Sequence, residues 1–374
     1  FTRASSATVV NKAGLIETVG SGEPRIDFQG NTKGALLLEP SRTNSLLQSN
    51  QFDTTWVIGA SALSLTSGQS GIYGSNNAWL LKKNSTGSRY IQQSLSLSSA
   101  QYSYSVYLKA ESTNWVYLQS SDGSSQVASY FDLENGVVGT TAGSNLDSAT
   151  IDNAGNGWYR CTLKYTQATS SVRIYPADSN DSISPTNDNG IYIQSAQLES
   201  NASYPTSIIP TSGSAVTRVA DACNNSANAQ IINSTEGVLY AQISALSDSG
   251  DTYRLIGLNN GSGTNTNRIF IGYTNNNSIY AAINNTTIAI TASSFDVKNF
   301  NKVAVVYNGS IAKLFINGSE VGSGITNAPT LSGLSRVDFS GSSTGANEFK
   351  GNTKDVRVYN TALTDTELQA LTRI

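Results

Sequence analysis

The chain has no histidine and no methionine, only two cysteines in 374 residues, and charge on just 13% of its positions. Without histidine there is no Ser–His or Cys–His nucleophile pair, no imidazole metal ligand and no histidine pH switch. Paired carboxylates and tyrosine stay open as catalytic groups. The 23 basic and 26 acidic residues leave a formal charge of −3, so no basic field for nucleic acid or an anionic membrane is implied. No apolar run approaches the ~18 residues of a membrane-spanning helix, and no secretory signal pattern opens the chain. With Phe at position 1 and no Met anywhere, the chain is expected to be a processed product or a piece of a longer one. Cys161 and Cys223 fall in what read as different domains. Two free thiols are the expectation, while a disulfide between the domains stays open because sequence gives no distance.

What is present is alternation. In Gln101–Lys109, Tyr102, Tyr104, Val106 and Leu108 share one face, the period of a half-buried strand. Asn114–Gln119 and Trp158–Thr166 read the same way, and Asn135-Gly136, Asn308-Gly309 and Asn317-Gly318 are type I′ hairpin signals. Long helical periodicity is missing until Thr364 and Glu367, spaced as a capping box ahead of Leu368 and Leu371. Short strands with such turns predict an all-β protein of sandwiches or jelly rolls. A break falls near residues 200–228, where prolines and small polar residues cluster. The expected organisation is an extended arm over 1–46, a β-sandwich over 47–210, a linker over 211–228, and a jelly roll over 229–374 closed by a short helix.

The arm is distinctive for its charges. Arg3, Glu17, Arg25, Asp27, Glu39 and Arg42 are flanked by Pro, Gly or apolar residues, a setting in which a charge is held by a specific partner. They are expected to form structural ion pairs, Arg with Glu17, Asp27 and Glu39, pinning the arm across a sandwich or a neighbouring subunit. The order Phe1-Thr2-Arg3-Ala4-Ser5, Gly14-Leu15-Ile16-Glu17, Glu23-Pro24-Arg25-Ile26-Asp27-Phe28 and Leu36-Leu37-Leu38-Glu39-Pro40-Ser41-Arg42-Thr43-Asn44 resembles an element of tailed-bacteriophage tail-fibre and head-spike proteins. There it precedes a carbohydrate-binding-module-like sandwich. Phe52-Asp53-Thr54-Thr55-Trp56, Phe131–Val138, Asn156–Cys161 and Ile191–Glu199 resemble that sandwich. Gly237–Gln242, Asn301–Gly309, Lys313–Gly318 and Gly351–Asn360 resemble a laminin-G-like or concanavalin A-like jelly roll.

The resemblance implies a virion-surface structural protein, a fibre, spike or decoration component, that attaches to host-surface polysaccharide. Its implied partners are other virion proteins and copies of itself, a trimer being the commonest arrangement in such fibres; no heptad repeat is present to build one. Neither nucleic acid nor membrane insertion is implied. An architectural component without ligand, a secreted bacterial adhesin and a polysaccharide depolymerase are the alternatives. Glucanases of the concanavalin-like fold alternate acidic residues along one strand. Here Glu236, Glu320, Glu348 and Glu367 stand alone, so no catalytic residue is assigned and no enzyme is expected.

For glycan contact the candidates are Trp79, Trp115 and Tyr117, aromatic faces beside amides; Trp56 and Trp158 are assigned to the core. The loops Asp178–Asp181 and Asn187–Gly190 are oxygen-rich in the manner of calcium sites. They are equally ordinary turns, and no metal or cofactor is assigned.

Overall fold

The computed structural model describes residues 1–58, 62–184, 188–248, 252–291 and 295–374. The chain is all-β except for one helix, Asp365–Thr372, in the described residues. The first sandwich is one twelve-stranded sheet whose halves share a single core. Its spine is two twenty-residue antiparallel strands, Ile91–Ala110 and Trp158–Ala177. Register shifts between Gln167 and Ser171 let these long strands bend from one layer into the other. On one side of Trp158–Ala177 follow Trp115–Ser121, Gln126–Asp132 and Val137–Ala142; on the far side of Ile91–Ala110 lies Gly190–Ser200. Period-2 alternation fills the core with Tyr104, Val106, Leu108, Val116, Leu118 and Ile174, all 0% exposed.

The second sandwich stacks two sheets. The five-stranded sheet runs Thr286–Ile290, Ile279–Ile283, Arg268–Tyr273, Arg254–Asn259, Arg336–Asp338. The seven-stranded sheet runs Ser319–Ile325, Ile311–Ile316, Asn301–Asn308, Glu236–Ala245, Gly351–Tyr359, and then Ala35–Leu38 and Ile26–Asp27. The last two strands belong to the arm. They continue the C-terminal sheet past Gly351–Tyr359, with Leu38 opposite Gly351 and Leu36 opposite Thr353. A few residues later Arg42–Asn44 joins the first sandwich, paired with Gly190–Ser200 and Val216–Arg218. The expected extended arm is a strap inside the chain, tying one sandwich to the other. Its hydrophobic run explains this: Ala35, Leu37 and Leu38 are buried, and Leu38 enters the second core.

The helix begins as the capping box predicts. The Thr364 hydroxyl accepts from the Glu367 amide while the Glu367 carboxylate accepts from the Thr364 amide, and Leu368 is fully buried beneath it. Of the three expected hairpins only Asn317-Gly318 has both residues at positive φ, +48° and +89°. At 308–309 the loop slips by one residue: Asn308 pairs with Ile311, leaving Gly309 and Ser310 to turn. At 135–136 the turn is wider, closed by the Gly136 amide on the Asp132 carbonyl. Asp132 directs this, since its carboxylate accepts from the Glu134 and Asn135 amides.

Candidate glycan-binding face

Alternation that buries Val116 and Leu118 turns Trp115, Tyr117 and Gln119 to the outer side of the first sandwich. Cross-strand register aligns neighbours there. Tyr117 stands opposite Tyr130 on one side and Tyr175 on the other. Gln119 stands opposite Arg173, and Arg173 opposite Gln92. Two parallel rows result.

The first row is aromatic. Tyr90, Tyr175, Tyr117 and Tyr130 follow one another with ring centroids 4.8, 5.3 and 4.5 Å apart, within the range for paired rings. The rings lean on each other and leave little surface open: Tyr175 is 3%, Tyr117 8% and Tyr130 9% exposed. Trp115 and Tyr90 are half-buried at the margins of the same cluster. Burial raises the Tyr117 and Tyr130 phenols above their usual range and takes Tyr175 to about 12. All three are neutral hydroxyls at physiological pH.

The second row is polar and already organised. Arg173 donates from Nε to Gln92 Oε1 at 3.0 Å and from Nη1 to Gln119 Oε1 at 2.9 Å. The Tyr175 hydroxyl donates to Gln119 Oε1 at 3.1 Å, and Gln119 Nε2 donates to Gln126 Oε1 at 2.6 Å. The Arg173 guanidinium also lies 4.7 Å from the Tyr90 ring centre. Its Nη2 hydrogens are not drawn into these bonds. Aromatic rims beside fixed amides and a guanidinium suit a ligand with apolar C–H patches and many hydroxyls.

Two of these residues, Trp115 and Tyr117, are legible in the sequence alone. Trp79 is a correction. It packs into the first core rather than on the outer face, and its indole donates to the Asn50 carbonyl at 2.7 Å. Trp56 and Trp158 are also core residues. Tyr90, Tyr130, Tyr175, Arg173 and Gln119 were missed. Alternation places each on an outward face, but only strand order shows that the faces adjoin.

The arm charges lie elsewhere, and of the expected arginine partners Glu39 is engaged while Glu17 is not. Arg3 meets Asp221, 3.0 Å away, rather than Glu17. Arg25 pairs with Glu39 at 2.6 Å and with Asp221, and Arg218 reaches Glu39 at 2.8 Å. Arg218 and Asp221, which complete the network, come from the segment read as linker. The rest are more ordinary. Asp27 accepts from the Val10 and Gln29 amides, Glu17 accepts from Asn11 on the surface, and Arg42 lies over the Tyr204 ring.

Of the oxygen-rich loops, Asn180 and Asp181 are tied to Thr140, and Asp178 sits beside buried Lys83. Asn187 lies outside the described residues. Among the described residues no cluster of three or more potential metal ligands occurs, and no helix is long and apolar enough to cross a membrane.

Residues 226–369 match the family model of the concanavalin A-like lectin/glucanases superfamily. This unit has that jelly-roll fold. No curated protein matches the chain. Among solved structures, the chain is similar to the CBM40 module of the Ruminococcus gnavus IT-sialidase at 18% identity and a TM-score of 0.32, covering 40% of this chain and 93% of that one. It is also similar to domains LG4-5 of the mouse laminin alpha1 chain at 12% identity and a TM-score of 0.25, covering 77% and 89%. Similarities of this size identify no ligand.

Proposed function

We propose that the chain is a non-catalytic carbohydrate-binding protein that lays a host-surface glycan along the Tyr90–Tyr175–Tyr117–Tyr130 row, with Arg173 and Gln119 engaging its hydroxyls. The observation that carries this reading is the pairing of that row with a polar row whose geometry is fixed before any ligand arrives, because preorganised groups lose little freedom on binding. The lectin-like fold of residues 226–369 supports the same class of function. Trp115 borders the row and widens its apolar margin.

The finer reading is a structural component of a phage particle, a fibre, spike or decoration protein. It is supported by the resemblance of the opening segment, Phe1 to Asn44, to phage fibre and spike elements. A secreted bacterial adhesin would use the same face. A glycan array probed with the wild-type chain, Trp115→Ala and Arg173→Ala tests the function. Binding by wild type and loss in both variants is expected; no binding to any glycan overturns it. Immunogold electron microscopy of phage particles separates the two settings, with label on particles expected.

A further inference from the structure

Where the arm, the first sandwich and the second sandwich meet, they enclose a cleft of about 490 Å³, within the range of about 300–1,000 Å³ for small-molecule sites. One wall is regular sheet. Ser148, Thr150 and Asp152 stand opposite Lys164, Thr162 and Arg160, on the side away from the core residues Cys161 and Leu163. Arg160 is fixed in this wall. It donates to Ser105 Oγ at 2.9 Å and to the Thr206 carbonyl at 2.7 Å, and lies 5.4 Å from the Tyr107 ring centre. The arm contributes Val10 and Asp27, and the second sandwich contributes Asp248, Lys298 and Asn352.

Three polar atoms on these walls are buried without a hydrogen-bond partner: Thr162 Oγ1, Ser203 Oγ and Asn352 Oδ1. Thr162 is only 3% exposed. Buried polar groups are nearly always satisfied, and these three come from separate parts of the chain yet line one space. They point to a guest that supplies the missing partners. Charge narrows its nature. Arg160, Lys164 and Lys298 face Asp27, Asp152 and Asp248, with Lys298 and Asp248 paired at 3.3 Å, while the fourth acid of the lining, Glu39, is held by Arg25 and Arg218. No net field favours an ion. Desolvation raises the Asp152 carboxyl against the pull of Arg160 and Lys298, although the residue as a whole is exposed.

We propose that this cleft is a second carbohydrate site, taking a short neutral saccharide whose hydroxyls pair with Thr162, Ser203 and Asn352 while its apolar face meets Val10 and Ile208. The ligand class rests on the glycan-binding reading above, but the cleft shares no residue with the tyrosine row.

The test is hydrogen exchange and calorimetry on the full chain with lactose, maltose and N,N′-diacetylchitobiose at millimolar concentration. At least one probe is expected to protect amides of Ser148–Asp152 and Arg160–Lys164. Thr162→Val, which keeps the side-chain shape, is expected to weaken that probe by about tenfold, with its unfolding midpoint unchanged. Trp115→Ala is expected to leave this binding intact. Absence of protection with every probe overturns the cleft, as does wild-type affinity in Thr162→Val. If the cleft fails while Trp115→Ala still abolishes array binding, the outer face stands. If cleft binding persists while the outer-face variants change nothing on the array, only the outer face falls.

Discussion

Arg25 Nη1 lies 2.6 Å from Glu39 Oε2, with the two side chains 0% and 4% exposed. Glu39 also accepts from the Ser207 amide at 2.7 Å and lies 2.8 Å from Arg218, so one carboxylate holds two guanidiniums and the exit from the first sandwich. Exposed ion pairs contribute little. Here the charges are out of water, and removing one member strands the others.

Glu39→Gln is expected to destabilise the chain by about 3–5 kcal/mol, the usual cost of breaking a buried pair from one side. Burial by itself would raise the Glu39 carboxyl, but Arg218, Arg25 and the Ser207 hydrogen bonds outweigh it and bring it from 4.5 to about 2. A depressed carboxylate stabilises the fold above its unfolded pKa and loses that contribution as pH falls through the folded one. Urea unfolding should therefore show stability declining from about pH 5 toward pH 2, with a shallower decline in Glu39→Gln. A variant as pH-sensitive as wild type would place the effect on another group.

Much of this was legible in the arm. Arg25 and Glu39 stood out because apolar and Pro neighbours leave a charge no solvent of its own. Their partners were not legible: Asp221 lies 196 residues from Arg25, and strand addition, rather than local spacing, brings them together. The same split holds for the glycan-binding face. Trp115 and Tyr117 announce an outward face by alternation, but nothing local says that Tyr175 and Tyr130 flank it. Trp79 misled because the amides of Asn76 and Asn77 beside it suit a glycan contact. The strand Ala78–Lys83 instead turns the indole inward, where the Asn50 carbonyl satisfies its N–H.

Because the strap completes the second sandwich, Leu38→Ala should cost about 2–5 kcal/mol, as for other fully buried leucines. The loss should appear as a lowered unfolding midpoint by calorimetry. Excising residues 226–374 should do more, since it uncovers the edge of Gly351–Tyr359 where Ala35–Leu38 pairs. Open edges recruit other chains. Light scattering is expected to show association of this fragment at concentrations where the full chain is monodisperse. A stable, monodisperse fragment would make the strap dispensable.

On the outer face, Tyr117→Ala and Arg173→Ala should each weaken glycan binding by about tenfold or more, equivalent to about 1.4 kcal/mol. Arg173 anchors Gln92 and Gln119, so Arg173→Lys should fail to rescue: an ammonium does not reproduce the planar fork. Trp79→Phe should leave affinity unchanged and lower only stability. Titration calorimetry against the best array glycan separates these outcomes, and equal loss in Trp79→Phe would show that the effect is global.

The two cysteines should behave as separate thiols. Cys161 is fully buried in the first core, and Cys223 is half-buried against the second. Desolvation raises the Cys161 thiol well above its ordinary range, and the nearby Asp152 carboxylate adds to this; Cys223 is raised less, again by burial. Reaction with a thiol reagent requires the thiolate and a path to it. In the native protein Cys223 is therefore expected to react slowly and Cys161 not at all, with both titrating after denaturation. Reducing agent should leave the unfolding midpoint unmoved, because no bond between the sandwiches is there to break. A midpoint that falls on reduction, or no titratable thiol after denaturation, would mean that Cys161 and Cys223 are joined by a disulfide.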